Sequence, residues 1–375
     1  MIYREAGQFK TSYAQDQALF PIRQDRYGMA AILATAFVLV PLFGSAFFLN
    51  TIMIPFLVLA LATIGLNLLT GYAGQLSLGT GGFMGVGAYA CYKLTTFFPE
   101  ANILLLILTS GLFSAALGVL FGLPSLRIKG FYLVVATLAS QFFLEWCFNR
   151  IPWLYNHNAS GAIEVPARSA FGVVLTGPSA TPLARYLAVL AVVTLLTLVA
   201  SNLVRGRIGR SWMMVRDMDI AAELMGVRLL RTKLLAFAVA SFYAGVAGAL
   251  MVFLWLGAAE ASSFTINVSF QILFMAIIGG LGSLVGSFMG AAFIWILPMD
   301  PADPDPRGTR RLRPLARGRH GRADQLHADR RSDHPDPHSR AARHGAALAD
   351  RQATDANLAV PLLGQGTAIV GEAHA

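Results

Sequence analysis

The chain alternates long apolar runs with short polar or basic connections. Eight runs are close to or above the ~20 residues that an α-helix needs to cross a lipid bilayer. They are Met29–Leu49, Thr51–Leu69, Gly74–Phe98, Ile103–Leu123, Gly130–Phe148, Leu183–Val204, Leu234–Leu256 and Ser269–Leu297. Because these runs are continuous and do not alternate with a period of two, they indicate helices. The pattern predicts an all-α, polytopic integral membrane protein with about eight transmembrane segments.

Glycine interrupts two of these runs. Gly74–Gly87 contains six glycines among apolar residues, which favours either close packing of helices or a discontinuous helix that lines a solute path. The last run contains a second break at Gly279–Gly282. We therefore expect one glycine-broken segment in the third run, and either one long helix or two shorter passes in the last.

Basic residues are distributed unevenly between the connections. If the N-terminus is cytoplasmic, eight alternating passes place 13 Lys and Arg residues on the inner side and three on the outer side. Such a bias predicts a cytoplasmic N-terminus, because positive charge is retained on that side. Two connections are long, Arg150–Pro182 outside and Arg205–Lys233 inside. The inner one has an amphipathic, helical pattern from Ser211 to Met225, with Gly226 as its C-cap.

The composition agrees with a membrane protein and limits its chemistry. Of 375 residues, 55% are hydrophobic and 13% are charged, whereas soluble domains have about 25% charged residues. The two cysteines, Cys91 and Cys147, lie in apolar runs and provide neither a disulfide framework nor a Cys/His metal site. The sequence shows no Gly-Lys-Ser/Thr phosphate loop and no His/Asp/Glu cluster. We therefore expect neither an enzyme nor a cofactor-binding chain.

Hydrophilic side chains inside the apolar runs are the candidates for lining a solute path. The third run contains Gln75, Ser77 and Thr80, and the fifth contains Ser140 and Gln141. Hydroxyl and amide groups in membrane segments face other helices or a water-filled cavity. We expect these five residues to line the path.

Five stretches together resemble one family of membrane proteins. They are Gly65–Gly79 (GLNLLTGYAGQLSLG), Asp219–Gly226 (DIAAELMG), Lys233–Phe237 (KLLAF), Ala244–Leu250 (AGVAGAL) and Ile278–Ser283 (IGGLGS). In this order they resemble the LivM-type permeases of ABC importers for branched-chain amino acids. The resemblance extends from about Met29 to Pro298.

The resemblance implies a domain organisation and a set of partners. Residues 29–298 would be the transmembrane domain of an ABC permease, 1–28 a cytoplasmic N-terminal segment, and 205–233 a cytoplasmic coupling segment. The implied partners are a second permease subunit, two cytoplasmic ATPase subunits that bind ATP, and a periplasmic substrate-binding protein, with no nucleic acid and no cofactor on this chain. The implied location is the bacterial inner membrane. In this family the loop inserts into a groove on the ATPase, which assigns that contact to Asp217, Asp219, Ala222, Glu223 and Gly226.

The implied function is to form the membrane path for branched-chain or related amino acids, driven by ATP hydrolysis on partner subunits. Related permeases move urea or short-chain amides, which are the alternative substrates. The alternative class is an ion-coupled secondary carrier. A carrier would need ionisable residues deep in the membrane, and only Glu145 and Lys93 come close.

The sequence changes character at residue 299. Residues 300–375 contain 12 Arg but no Lys, Phe, Tyr or Trp, and such a composition does not build a packed core. We expect 299–375 to be a disordered, polar low-complexity tail. It is either natural or the product of a frameshift near Pro298, and the absence of residues with A/T-rich codons beside abundant Arg favours the frameshift.

Overall fold

A computed structural model describes residues 23–125, 132–158, 160–170, 172–177 and 179–298. The predictions for 1–22 and for the tail 299–375 therefore lie outside the described residues. The α-helices are α1 (Arg23–Ala34), α2 (Val40–Phe43), α3 (Ile54–Asn67), α4 (Thr80–Phe97), α5 (Ile103–Ser125), α6 (Tyr132–Arg150), α7 (Pro182–Arg205), α8 (Arg207–Asp217), α9 (Asp219–Leu224), α10 (Leu229–Leu250), α11 (Ile266–Gly279) and α12 (Leu284–Trp295).

Several of these helices are extended by π-helical turns. Thr35–Leu39 joins α1 to α2, Phe48–Met53 precedes α3, Leu68–Tyr72 follows α3, and Met251–Leu256 follows α10. Short 3₁₀ helices occur at Pro152–Tyr155 and Ala261–Phe264.

The helices confirm the prediction of an all-α, multi-pass membrane protein. Five helical stretches are long and apolar enough to cross a membrane, namely Phe48–Tyr72, Ile103–Pro124, Pro182–Arg205, Leu229–Leu256 and Ala261–Gly279. Shorter apolar helices cover Tyr27–Phe43 and Leu284–Trp295. Helices α4 and α6, with 18 and 19 residues, occupy the third and fifth predicted runs.

The helix directions define two ends of the bundle. We call the end at which residues 206–228 connect α7 to α10 the basic end, and the end at which residues 151–181 connect α6 to α7 the loop end. Two small antiparallel sheets lie at the loop end. Strand β1 (Ile163–Glu164) pairs with β4 (Ala258–Ala259), and β2 (Ser169–Ala170) pairs with β3 (Val173–Val174).

Small residues allow α10 to pack closely against its neighbours at the centre of the bundle. A Cβ atom on Gly87 of α4 would collide with the backbone of Gly245, and one on Gly248 would collide with the backbone of Met84. The hydroxyl of Ser114 on α5 donates a hydrogen bond of 3.0 Å to the carbonyl of Phe83. The glycines of the third run that lie within α4 therefore serve helix packing.

The last apolar run forms two short antiparallel helices, the second of the two arrangements considered for it. Gly280 and Gly282 have φ angles of 97° and 81°, which favour glycine and reverse the chain between α11 and α12. The hydroxyl of Ser283 accepts a hydrogen bond of 3.0 Å from the backbone of Gly286 and caps α12. Both helices approach closely at Gly279 and Gly286.

Candidate functional site

The third apolar run begins with a non-helical segment that is enclosed by protein. Residues 73–79 have no helical structure and lead from the basic end to the start of α4 at Thr80. Nearby groups hydrogen-bond to this backbone, as when the amide of Gln75 donates to the carbonyl of Leu69 at 3.0 Å and the amide of Leu78 to the hydroxyl of Thr137 at 3.1 Å. Irregular backbone at membrane depth is tolerated where protein surrounds it.

Side chains from two other helices hold the first turn of α4. The amide of Gly81 donates to the hydroxyl of Ser269 at 2.8 Å, and the amide of Gly82 donates to Oε1 of Gln141 at 2.6 Å. The Nε2 atom of Gln141 donates to the carbonyl of Phe264 at 2.7 Å, and the Gln141 side chain is completely buried. Gln141 and Ser269 thus supply acceptors that the first turn of a helix needs from outside itself.

Four of the five predicted path residues surround the start of α4. Ser77 and Thr80 line a cavity of about 10 Å³ together with Ser241 of α10, which is room for roughly one water molecule. The Ser140 hydroxyl donates to the carbonyl of Thr137 in its own helix at 2.7 Å. The cavity is too small for an amino acid, so the structure has a closed interior at this point.

Gln75 lies apart from the other four, toward the basic end. Its Nε2 atom is 3.4 Å from the carbonyl of Lys233, while its buried Oε1 atom has no hydrogen-bond partner among the described residues. The role of all five residues in a path stays a prediction. Ser269 was not predicted, although it is a hydroxyl residue at the start of the last apolar run.

At the basic end, α8 is firmly attached to the bundle. Trp212 is completely buried, and its Nε1 atom donates to the carbonyl of Thr232 at 3.2 Å. Val215 is buried on the same side of α8, whereas Arg210 and Arg216 are exposed on other sides. The amphipathic stretch predicted from Ser211 to Met225 is therefore helical, but not as one helix: extended backbone at Met218 (φ −150°, ψ 94°) divides it into α8 and α9. The apolar side of α8 anchors it.

Arg216 joins this helix to the end of the second transmembrane stretch. Its Nη1 atom donates to the carbonyl of Gly71 at 2.7 Å, and its Nε atom is 2.8 Å from the carboxylate of Asp217. The φ angle of Gly74 is 68°, and a Cβ atom there would press against the Arg216 side chain. Glycine is needed at this position for both reasons.

Asn67 connects the same stretch to the turn between α11 and α12. Its Oδ1 atom accepts from the amide of Gly282 at 2.8 Å, and its Nδ2 atom donates to the carbonyl of Ser283 and the hydroxyl of Ser287, both at 2.8 Å. Sequence reasoning missed Asn67, although an asparagine inside an apolar run is unusual enough to notice. Arg216, Gly71, Asn67 and Gly282 form one continuous chain of contacts, which we call the basic-end joint.

The short helix α9 projects from the basic end with apolar side chains exposed. Ile220 is 69% exposed and Leu224 is 85% exposed. Among the predicted coupling residues, Ala222 is buried, Asp217 and Glu223 are exposed, and Asp219 is partly exposed.

Gly226 ends this helix as the sequence predicts. Its φ angle is 86°, its amide donates to the carbonyl of Glu223 at 2.9 Å, and the amide of Val227 donates to the carbonyl of Ala222 at 3.0 Å. These two bonds form a Schellman motif, which requires a left-handed residue. The structure therefore brings the five predicted coupling residues together on one compact projection.

The sequence of the chain matches a known protein family. Residues 48–298, more than half of the chain, match the family model described as branched-chain amino acid transport system / permease component. No solved structure matches the chain.

Two curated relatives are similar over the same region. The high-affinity branched-chain amino acid transport system permease protein LivM of Salmonella typhimurium is 31% identical over 254 residues, which cover 62% of this chain and 58% of the relative. The protein of the same name from Escherichia coli is 30% identical over 254 residues, with the same coverage. The matched region spans somewhat more than half the length of these relatives.

Proposed function

Because the chain belongs to the family of branched-chain amino acid transport system permease components, we propose that it is the permease subunit of an ATP-driven importer for branched-chain or related amino acids. The observation that carries the proposal is the combination of a membrane helix bundle with a projecting helix, α9, that follows the anchored helix α8. A protein that only crossed the membrane would not need apolar side chains exposed on a charged projection.

The projection is suited to docking on a cytoplasmic ATPase subunit. Ile220 and Leu224 supply exposed apolar surface, and Asp217, Asp219 and Glu223 supply negative charge around it. Interfaces of this kind combine an apolar centre with a polar rim. In this proposal Ala222 packs beneath the projection and Gly226 fixes its end, so both preserve the shape that the ATPase binds.

The charge distribution supports a cytoplasmic basic end. The connection 205–233 has seven Lys and Arg residues, whereas the loop end has Arg150, Arg168 and Arg185. Under the positive-inside bias, this orientation places α9 and the N-terminus in the cytoplasm of a bacterial inner membrane. The loop end then faces the periplasm, where a substrate-binding protein delivers the amino acid.

The energy for transport comes from partner subunits in this proposal. ATP is bound by two cytoplasmic ATPase subunits, and a second permease subunit completes the membrane part. ATP binding closes the ATPase subunits and moves α9, and the anchored helix α8 transmits this motion through the basic-end joint. A ligand shifts a conformational equilibrium only through differential affinity for its two states, so ATP must favour one position of α9.

Residues around the start of α4 belong to the part of the bundle that rearranges. Ser77, Thr80, Ser140 and Gln141 lie where α4, α6 and α11 meet, and Gln75 lies between this point and the basic end. The interior cavity of about 10 Å³ describes a closed state. Opening at this meeting point would expose several hydroxyl and amide groups to a passing amino acid.

Reconstitution of the complete transporter tests the proposal. The chain is co-purified with its second permease and two ATPase subunits, placed in proteoliposomes, and supplied with binding protein, ATP and radiolabelled L-leucine. We expect leucine uptake that requires ATP. Uptake without ATP would contradict the proposal and favour an ion-coupled carrier.

One substitution tests the docking surface in the same system. Leu224→Ser should reduce co-purification of the ATPase about tenfold or more, because truncating a central interface residue costs about 2 kcal/mol. Leu230→Ser is the matched control, since Leu230 is partly exposed at the basic end but lies outside Asp217–Gly226. Equal ATPase recovery from both variants would show that α9 is not the docking element.

A further inference from the structure

The outer face of α11 carries two amide side chains on a helix that crosses the membrane. Asn267 and Gln271 are one helical turn apart, and with Phe270, Phe274 and Ile294 they line an open groove of about 480 Å³. Asn267 is exposed and Phe274 is 54% exposed. Neither side-chain amide forms a hydrogen bond with any part of the chain that the structure describes.

The groove lies far from both ends of the bundle. Gly81 hydrogen-bonds to Ser269, so this part of α11 is level with the start of α4. Helix α4 continues for 18 residues toward the loop end, which is ~27 Å at 1.5 Å per residue. In the other direction, the helix from Ser269 to Gly280 covers ~16 Å. Asn267 and Gln271 therefore lie near the middle of the membrane-crossing length.

Amide groups at this depth do not suit contact with lipid tails. Polar groups inside membranes face a bundle interior or a water-filled cavity, because hydrocarbon offers no hydrogen bonds. The exposed face of α5 shows the contrast, with Leu105, Leu112 and Leu120 exposed. The exposed Thr109 on α5 satisfies its hydroxyl by donating to the carbonyl of Leu106 at 3.0 Å. The exposed face of α5 is thus suited to lipid, whereas the part of α11 that carries Asn267 and Gln271 is not.

We propose that the Asn267–Gln271 groove is one wall of the solute path, with the second permease subunit closing its open side. This inference rests on the proposed function, which supplies the second subunit. It adds an outer wall to the path residues at the start of α4, where the interior cavity near Thr80 is closed to a volume of about 10 Å³. The groove volume falls within the range of small-molecule sites.

The lining of the groove defines the chemistry of the solute. Asn267 and Gln271 each offer two N–H donors and one carbonyl acceptor without net charge. They can bind a carboxylate through the donors and an ammonium group through the acceptors of the same solute. Phe270, Phe274 and Ile294 provide apolar contact for its side chain. The groove therefore selects a zwitterion with an apolar side chain over amino acids with net charge.

Ser269 links this wall to the interior of the bundle. Its hydroxyl faces the start of α4, whereas the exposed Asn267 and the partly exposed Gln271 lie on the opposite side of α11. A rotation of α11 would change the groove and the support of α4 together. Helix α11 therefore borders both the closed interior and the open groove, and its movement would change both.

Thiol labelling of the assembled transporter tests whether the groove is wet. In a background with Cys91→Ala and Cys147→Ala, single cysteines replace Gln271, Asn267 or the lipid-facing Leu112. We expect a hydrophilic methanethiosulfonate reagent to modify Gln271→Cys and Asn267→Cys at least about tenfold faster than Leu112→Cys, because water does not reach a lipid-facing thiol. Equal, slow modification of all three variants would overturn the proposal.

Transport kinetics test whether the wet groove binds the solute. Gln271→Leu and Asn267→Leu should each reduce ATP-driven L-leucine uptake by about tenfold, the effect of losing one hydrogen bond, while ATPase co-purification stays normal. Thr109→Val is the control and should transport normally. If Gln271→Leu and Asn267→Leu both take up L-leucine normally, the proposed contact between the groove and the solute is wrong. Failure of the unsubstituted complex to take up leucine with ATP would instead count against the proposed function, and the labelling result would still report on the groove.

Discussion

At the scale of single residues, Gln141 makes hydrogen bonds that must be broken or replaced if α4 moves. Its amide bridges α4 and the segment before α11 by accepting from Gly82 and donating to the carbonyl of Phe264. A hydrogen bond in a low-dielectric interior is expensive to leave unmade. Gln141 therefore stabilises the closed state, and opening near α4 requires new partners for its amide.

Replacing this amide tests its structural role. Gln141→Leu would leave the Gly82 amide and the Phe264 carbonyl without their partner, at a cost of about 1–3 kcal/mol for each group. We expect a clearly lower melting temperature of the purified complex. Ser140→Ala is the control, because within the described part of the chain the Ser140 hydroxyl bonds to its own helix alone, and its loss should change stability little. Equal melting temperatures for both variants would contradict the bridging role.

The sequence predicts individual residues better when their partners are near in the chain. Gly226 was identified as a helix end because its cap involves Ala222 and Glu223 nearby. Asn67 was missed because its partners lie more than 210 positions away, at Gly282, Ser283 and Ser287. The local sequence pattern can predict contacts between residues that are near in the chain. It does not predict contacts between distant residues, because these depend on how the helices pack.

At the scale of elements, hydrophobic pattern predicted where helices lie but not how they begin or pair. All eight apolar runs contain helix among the described residues. The late start of α4 at Thr80 depends on acceptors from α6 and α11, which no local pattern encodes. The pairing of α11 with α12 depends on close contact between glycines. The sequence alone therefore allowed either one long helix or two shorter ones in the last apolar run.

A separate prediction at this scale concerns Arg216, in the predicted coupling segment 205–233. Arg216→Ala removes the charge-assisted bond from α8 to Gly71, an interaction worth about 1.5–3 kcal/mol. The anchor at Trp212 and the docking surface of α9 stay in place. We expect normal recovery of the ATPase but at least about tenfold less leucine transported per ATP hydrolysed, because motion of α8 no longer reaches α3 efficiently.

Arg210→Ala is the matched control for this variant, since Arg210 is exposed on the same helix. It should keep both ATPase recovery and the ratio of leucine to ATP. A normal ratio for Arg216→Ala would show that the basic-end joint does not transmit the motion. Loss of ATPase recovery would show instead that Arg216 supports docking.

At the scale of the whole molecule, the distribution of charge and the positions of the connections form one pattern. The connection 205–233 at the basic end has seven Lys and Arg residues and contains the projecting helix α9, whereas residues 150–185 at the loop end have three arginines and contain strands of the small sheets. The positive-inside bias depends on such connections near the ends of transmembrane segments. Orientation and docking are therefore linked, because an inverted bundle would present α9 to the periplasm.

Accessibility of the two ends tests the orientation. In the background without Cys91 and Cys147, we expect Ser160→Cys at the loop end to react with a membrane-impermeant maleimide on intact spheroplasts. Arg210→Cys at the basic end should react only after the membrane is permeabilised, because both native side chains are exposed but face opposite compartments. The reverse pattern would place α9 outside the cell, where no ATP-driven partner could engage it, and the importer proposal would fail with the orientation.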